Sequence, residues 1–68
     1  MIDLVPPGDS AGLLLAILQG SGFDVAALRS AAGGEVLRAL GVHGEDVVRL
    51  RRLCDRWAPG TRVCLPAA

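Results

Sequence analysis

The chain has no lysine, tyrosine or asparagine, and its only aromatic residues are one Phe and one Trp. With so few rings, any core must be filled by close-packed Leu, Val and Ala side chains. The formal net charge is zero, so the chain has no overall electrostatic attraction for nucleic acid or for an anionic membrane. All seven basic residues are Arg. Together with the abundant Ala, Gly and Leu, this is typical of a GC-rich bacterial genome.

The length of 68 residues allows one domain at most. A domain of this size buries only about 60% of the surface that its unfolded chain exposes, but the 51% hydrophobic content supplies material for a core. The first residues lack the basic start and long apolar stretch of a signal peptide. The apolar run at residues 13–18 is too short to cross a bilayer. We therefore expect a single cytoplasmic domain, residues 1–68, without a membrane partner.

Apolar spacing and helix-breaking residues predict four short helices. They cover residues 11–19, 25–32, 35–40 and 45–57. The first helix carries Leu and Ile over more than half of its circumference, so it is either central in a bundle or buries its second flank in a partner. The last helix has a continuous apolar stripe from Val47 to Trp57, opposite a stripe of Arg.

Short extended segments flank the predicted helices. Residues 1–5 are stopped by Pro6 and Pro7, and residues 61–65 alternate and are β-prone. The two segments could pair, but a two-stranded ribbon is marginal in water, so the pairing stays open. The predicted fold class is all-α: a compact bundle of four to five short helices (9–58), with an extended arm (1–8) and an extended tail (59–68).

Catalytic, cofactor and metal sites are not expected. Residues 8–12 match the nucleophile pattern G-x-S-x-G, but such a serine needs a sheet, an oxyanion hole, a later acid and a later His. We interpret Ser10, or its neighbour Asp9, as a helix cap. The two cysteines, Cys54 and Cys64, are too few for a metal site even with His43. We expect both to be small buried hydrophobes, with a disulfide between them as the alternative.

A helix-turn-helix is one interpretation of residues 37–57. Ala39, the turn at residues 40–42, Val47 and Arg49 resemble the A-x-L-G-V-x-x-x-x-V-x-R pattern of repressor-type DNA readers. However, the start of the would-be recognition helix is His-Gly-Glu-Asp (residues 43–46), where carboxylates would be repelled by phosphates. A DNA-binding regulator is therefore the alternative, and nucleic acid is not the expected partner.

The same region resembles the C-terminal half of sterile alpha motif (SAM) domains, and more broadly death-fold adaptors. In SAM domains a short helix ends in L-G-[IV], a loop with Gly follows, and a long basic helix closes the bundle. Here these are residues 37–42, 43–44 and 45–57. The loop is shorter than in the family, and one N-terminal helix is missing. The resemblance implies protein–protein association, often head-to-tail, through the start of the last helix.

The predicted function is a non-catalytic protein–protein interaction module for self-association or adaptor docking in bacterial signalling or defence. A small accessory subunit of a larger enzyme is a second alternative. The expected partner is a protein, either another copy in a homo-oligomer or a second adaptor in a hetero-complex. The candidate contacts lie on the first and last helices. They are Leu13, Leu15, Glu45, Val48, Arg49, Arg52 and Arg56.

Overall fold

The computed structural model describes residues 1–29 and 34–64 of the chain. Its elements, in chain order, are β1 (Ile2–Val5), α1 (Ala11–Gly20), β2 (Asp24–Arg29), β3 (Glu35–Leu40), α2 (Glu45–Trp57) and β4 (Arg62–Cys64). The protein is therefore an α+β domain, and the prediction of an all-α, SAM-like or death-fold-like bundle is wrong.

The four strands form one antiparallel sheet in the order β2-β3-β1-β4. Two helices between strands arranged in this way give the split βαβ, or ferredoxin-like, topology. β1 is central because it pairs with β3 on one side and with β4 on the other. The two terminal segments, whose pairing the sequence left open, do pair: Asp3 lies opposite Cys64, and Leu4 lies opposite Val63.

The two middle segments that were predicted as helices are the hairpin strands β2 and β3. Six residue pairs join them, from Asp24 opposite Leu40 to Arg29 opposite Glu35. The predicted helix over residues 25–32 is wrong as far as Arg29, and its last three residues lie outside the described part of the chain. Helix-favouring residues in both segments are overridden because β3 also pairs with β1.

Helix α1 confirms its sequence prediction to within one residue. It is preceded by Ser10, although the Ser10 side chain makes no capping hydrogen bond. Its end is a Schellman motif: the N–H of Phe23 donates to the Leu18 carbonyl at 3.1 Å, and the N–H of Gly22 donates to the Gln19 carbonyl at 3.1 Å. Gly22 has a φ of 94°, which glycine adopts without the steric cost of a Cβ.

Helix α2 has the bounds that its apolar stripe predicted, Glu45–Trp57. Leu50 and Cys54 are fully buried, while Val47 and Leu53 are partly buried against the core. Trp57 departs from the predicted stripe because it is 43% exposed. The helix therefore packs through its middle, and its C-terminal end remains at the surface.

The core lies between the sheet and the two helices. Alternate strand residues point toward the helices, as the two-residue period of a strand requires. The buried apolar residues on this side are Ile2, Leu4, Leu14, Leu18, Phe23, Val25, Leu37, Ala39, Val42, Leu50, Cys54 and Ala58. Neither helix is long and apolar enough to cross a membrane, within the residues described.

Candidate functional site

The predicted contact residues on α2 come together in part. Glu45, Val48, Arg49 and Arg52 line a shallow surface depression of about 500 Å³. Val48 is 52% exposed and provides its apolar member. Arg56 is not part of this depression.

Helical spacing favours ion pairs between Arg and acidic residues three or four positions away. Arg49 and Arg56 of α2 instead contact aromatic rings, and Arg49 also contacts a backbone carbonyl. Arg49 donates a hydrogen bond from Nη2 to the Ser21 carbonyl at 3.3 Å, and its guanidinium lies 4.7 Å from the centre of the Phe23 ring. It thereby joins α2 to the turn after α1. Arg56 stacks on the ring of its neighbour Trp57 at 5.5 Å. Within residues 1–29 and 34–64, the only ion pair lies elsewhere, on the sheet.

The two predicted contacts on α1 have different environments. Leu13 is 51% exposed, whereas Leu15 is partly buried against the core. Leu15 therefore contributes mainly to the packing of the domain. The broad apolar surface of α1 is explained by the sheet on one side and α2 on another, because α1 contacts both.

The helix-turn-helix interpretation loses its first helix. The segment Glu35–Leu40 is strand β3, so the only helix near the turn at residues 41–44 is α2. In a helix-turn-helix motif, a first helix crosses the DNA backbone beside the recognition helix. The pattern of residue types around Gly41 is therefore not evidence of that motif.

The sheet has a second face, directed away from both helices, that sequence analysis missed. We call it the open sheet face. It follows from the pairing registers and the alternation of side chains. Its residues are Asp3, Val5, Asp24, Ala26, Leu28, Val36, Arg38, Leu40, Arg62 and Cys64. The core side chains that come from both helices, and from the other described segments outside the sheet, lie on the opposite side of the sheet.

The open sheet face is rich in apolar side chains. Leu28 and Val36 are paired across β2 and β3, and Val5 lies beside Val36 because Leu4 is opposite Leu37. Leu28, Val5 and Leu40 are 38%, 37% and 49% exposed. Leu28, Val36 and Val5 lie side by side, whereas Leu40 lies at the other end of β3, beyond Arg38. Exposed apolar surface of this kind on a small domain commonly marks a site of interaction. The sequence of β3, EVLRAL, does not alternate between apolar and polar residues, so it gave no signal of this face.

One ion pair lies at the centre of this face. Arg38 on β3 donates from Nε to Asp3 Oδ1 at 2.9 Å and from Nη2 to Oδ2 at 3.3 Å, a two-point contact with the opposite residue of β1. The hydrogen bond from Arg38 holds the pKa of Asp3 below its ordinary value, and the pair raises the pKa of Arg38. The two charges therefore neutralise each other in the middle of an apolar surface.

The two cysteines lie in different environments and are both free thiols. Cys54 is buried in α2, as predicted, and burial raises the pKa of its thiol, with a smaller contribution from Asp55. Cys64 is exposed on the open sheet face, opposite Asp3. The prediction that both are buried is wrong for Cys64, and the alternative of a disulfide is not observed.

Comparison of the chain with family models, with curated proteins and with solved structures gives no significant match. The topology by itself does not indicate an activity, because folds of this kind serve many unrelated functions.

Proposed function

We propose that the chain is a non-catalytic protein–protein interaction module that docks through its open sheet face. The observation that carries the proposal is the group of exposed apolar side chains on this face, which includes Val5, Leu28 and Leu40. Burying this surface against a partner is favourable by about 25 cal/mol for each Å² of apolar area removed from water. The depression on α2 is the weaker candidate because charged residues make up most of its lining.

The chemistry of the face suits a protein partner better than single-stranded nucleic acid. Sheets that bind RNA stack bases on aromatic side chains of their strands. In this chain Phe23 is in the core and Trp57 is on α2, so the stacking groups lie away from the open sheet face. Aliphatic side chains around a neutral ion pair instead resemble the apolar centre and polar groups of a protein interface.

Site-specific photo-cross-linking tests this proposal. A photoreactive amino acid replaces Leu28 on the open sheet face, and the matched control carries the same group in place of Val48 on α2. Both positions are at least 38% exposed, so the label itself should not unfold the domain, which circular dichroism checks. We expect protein adducts in the native host from position 28 and far fewer from position 48.

The opposite pattern, with adducts from position 48 alone, would transfer the function to the helix surface. No protein adduct from either position would contradict the proposal. The mass of the adduct also identifies the kind of partner. If the chain is an accessory subunit, we expect one adduct with a much larger polypeptide. If the chain self-associates, we expect an adduct with twice the mass of one chain, which is 7.0 kDa.

A further inference from the structure

We propose that the occupant of the open sheet face is a second copy of this chain, stacked face to face with its strands crossed at about 90°. This inference rests on the proposed function and names its partner. Four charged residues lie on the face: Asp3, Asp24, Arg38 and Arg62. Their charges sum to zero, and their positions make the face complementary to itself.

Asp24 and Arg62 occupy diagonally opposite corners of the face. Asp24 is on the edge strand β2, opposite Leu40, and Arg62 is on the other edge strand, β4, opposite Val5. Three strand spacings separate them by about 14 Å in one direction, and four residues along a strand separate them by about 13 Å in the other. Asp24 and Arg62 therefore lie at the two ends of the diagonal of a nearly square area of sheet.

One possible two-fold axis lies in the plane midway between the two stacked sheets, at a right angle to the line from Asp24 to Arg62. This axis exchanges the two corners. It places Asp24 of each copy over Arg62 of the other and crosses the strands at a right angle. The other diagonal axis would place Asp24 over its own equivalent, with repulsion between like charges. An axis across the strands would place Asp24 over the partner's Leu28. Of these three arrangements, charge favours the first.

The charged residues at the centre of the open sheet face already form a pair with each other. Removing an unpaired charge from water is costly, but Asp3 and Arg38 already neutralise each other through two hydrogen bonds. Burial of the pair therefore leaves no charge without a partner. The aliphatic side chains Val5, Leu28 and Val36 form one row beside this pair. Under the chosen axis, Leu28 of each copy lies over Leu28 of the other, and the remainder of each row lies over β2 of the partner.

The small size of the face predicts a weak dimer. The area of sheet between the corners at Asp24 and Arg62 measures about 14 by 13 Å. This area is well below the roughly 800 Å² of surface that each partner buries in a standard interface. We expect a dissociation constant in the micromolar range or weaker, of the kind that transient assemblies show. The monomer–dimer equilibrium is therefore to be measured up to millimolar concentration.

Two charge reversals test the arrangement by sedimentation equilibrium of the purified chain. Asp24→Arg places Arg over Arg at both corners, and Arg62→Asp places Asp over Asp. Each variant alone should weaken dimerisation at least several-fold. In an equimolar mixture of the two variants, both corner contacts become attractive, so we expect mixed dimers to form. Arg52→Asp is the matched control, since it makes the same charge change on α2 and should leave dimerisation unaltered.

Several results would overturn the inference: a wild-type chain that stays monomeric at millimolar concentration, single variants that dimerise like wild type, or a mixture that does not recover. An effect of Arg52→Asp as large as that of Arg62→Asp would assign self-association to the helix surface. Failure here is distinct from failure of the proposed function. Adducts from position 28 to a different protein, with no dimer, would refute the second copy and retain docking through the same face.

Discussion

The contact between Asp3 and Arg38 joins the two central strands of the sheet on a surface that is otherwise aliphatic. The side chains are 28% and 41% exposed, respectively, so water screens their attraction in part and the contribution to stability is modest. Their importance is positional, because the pair fixes the register of β1 against β3 on the side that no helix covers. A one-residue slip would separate the two charges and move Leu4 out of the core.

Asp3→Asn should reduce stability at neutral pH and leave it less dependent on acid. Because the folded-state pKa of Asp3 is lowered, its contribution is present above the unfolded pKa of about 3.9 and is lost as pH falls through the lower folded value. Urea denaturation at pH 6, 4 and 3 measures this. The difference between wild type and variant should be largest at pH 6 and shrink below pH 4. A difference that stays constant with pH would contradict the assignment.

Leu50→Ala should be far more destabilising than Leu53→Ala, although both residues belong to α2. Leu50 has no exposed surface, whereas Leu53 is only partly buried. Truncation of a fully buried Leu costs about 2–5 kcal/mol, which is much of the roughly 3–10 kcal/mol available to a chain of this length. Thermal melts followed by circular dichroism test the order. Val48→Ala, at an exposed position, is the control and should lie within about 0.5 kcal/mol of wild type.

At the scale of single elements, the end of α1 determines where the chain turns into the sheet. The Schellman motif reverses the backbone at Gly22 and places Phe23 in the core, directly before β2. Arg49 then covers the Phe23 ring and bonds to the Ser21 carbonyl. The turn therefore positions both the edge strand and the neighbouring helix.

Two glycines in this turn should respond to alanine with opposite signs. Gly20 is helical and has open space where a Cβ would be added, so Gly20→Ala should stabilise the domain by up to about 1 kcal/mol. Gly22 also has open space but a φ of 94°, so Gly22→Ala should destabilise it by about 1–2 kcal/mol. Urea midpoints of the two variants measure the contrast. Equal effects would mean that α1 does not end as described.

The parts of the fold that local sequence determines are predictable from the residues alone. The bounds of α1 and α2 follow from helical periodicity and from glycines close to the helix ends, and both were predicted to within one residue. The β-prone character of the terminal segments was also visible. The hairpin was missed because Ala26 and Ala27 favour a helix, and because Arg38 finds its partner 35 residues away. Gly33 and Gly34, between two apolar runs, were a hairpin signal that the helical spacing obscured.

The candidate site was less predictable than the fold. The helical stripes showed that Val48 and Arg52 would be exposed on α2, and they are. The open sheet face could not be anticipated, because it exists only when β3 pairs with β1 and turns Val36 and Leu40 away from the core. A surface assembled from four distant segments leaves little trace in the periodicity of any one of them.

At the scale of the whole molecule, stability should decrease from the centre of the sheet to its edges. β1 and β3 each have neighbours on both sides, while β2 and β4 have one. Amide hydrogen exchange, measured by NMR at low concentration, should find the slowest amides in β1 and β3. The slowest amide of the three-residue strand β4 should exchange at least about tenfold faster, through local opening. Uniform protection across the four strands would contradict this gradient.

The position of β1 also has a consequence for synthesis. This strand leaves the ribosome before the other strands, yet its hydrogen-bonding partners are residues 37–39 and 62–64. Ile2 and Leu4 therefore remain unpaired at least until residues 37–39 have been translated. Strand β4 can join β1 only after Cys64 has emerged, so the four-stranded sheet is completed last at this edge. Before β3 is available, the apolar residues of β1 are open to contacts with other hydrophobic surfaces, including those of chaperones.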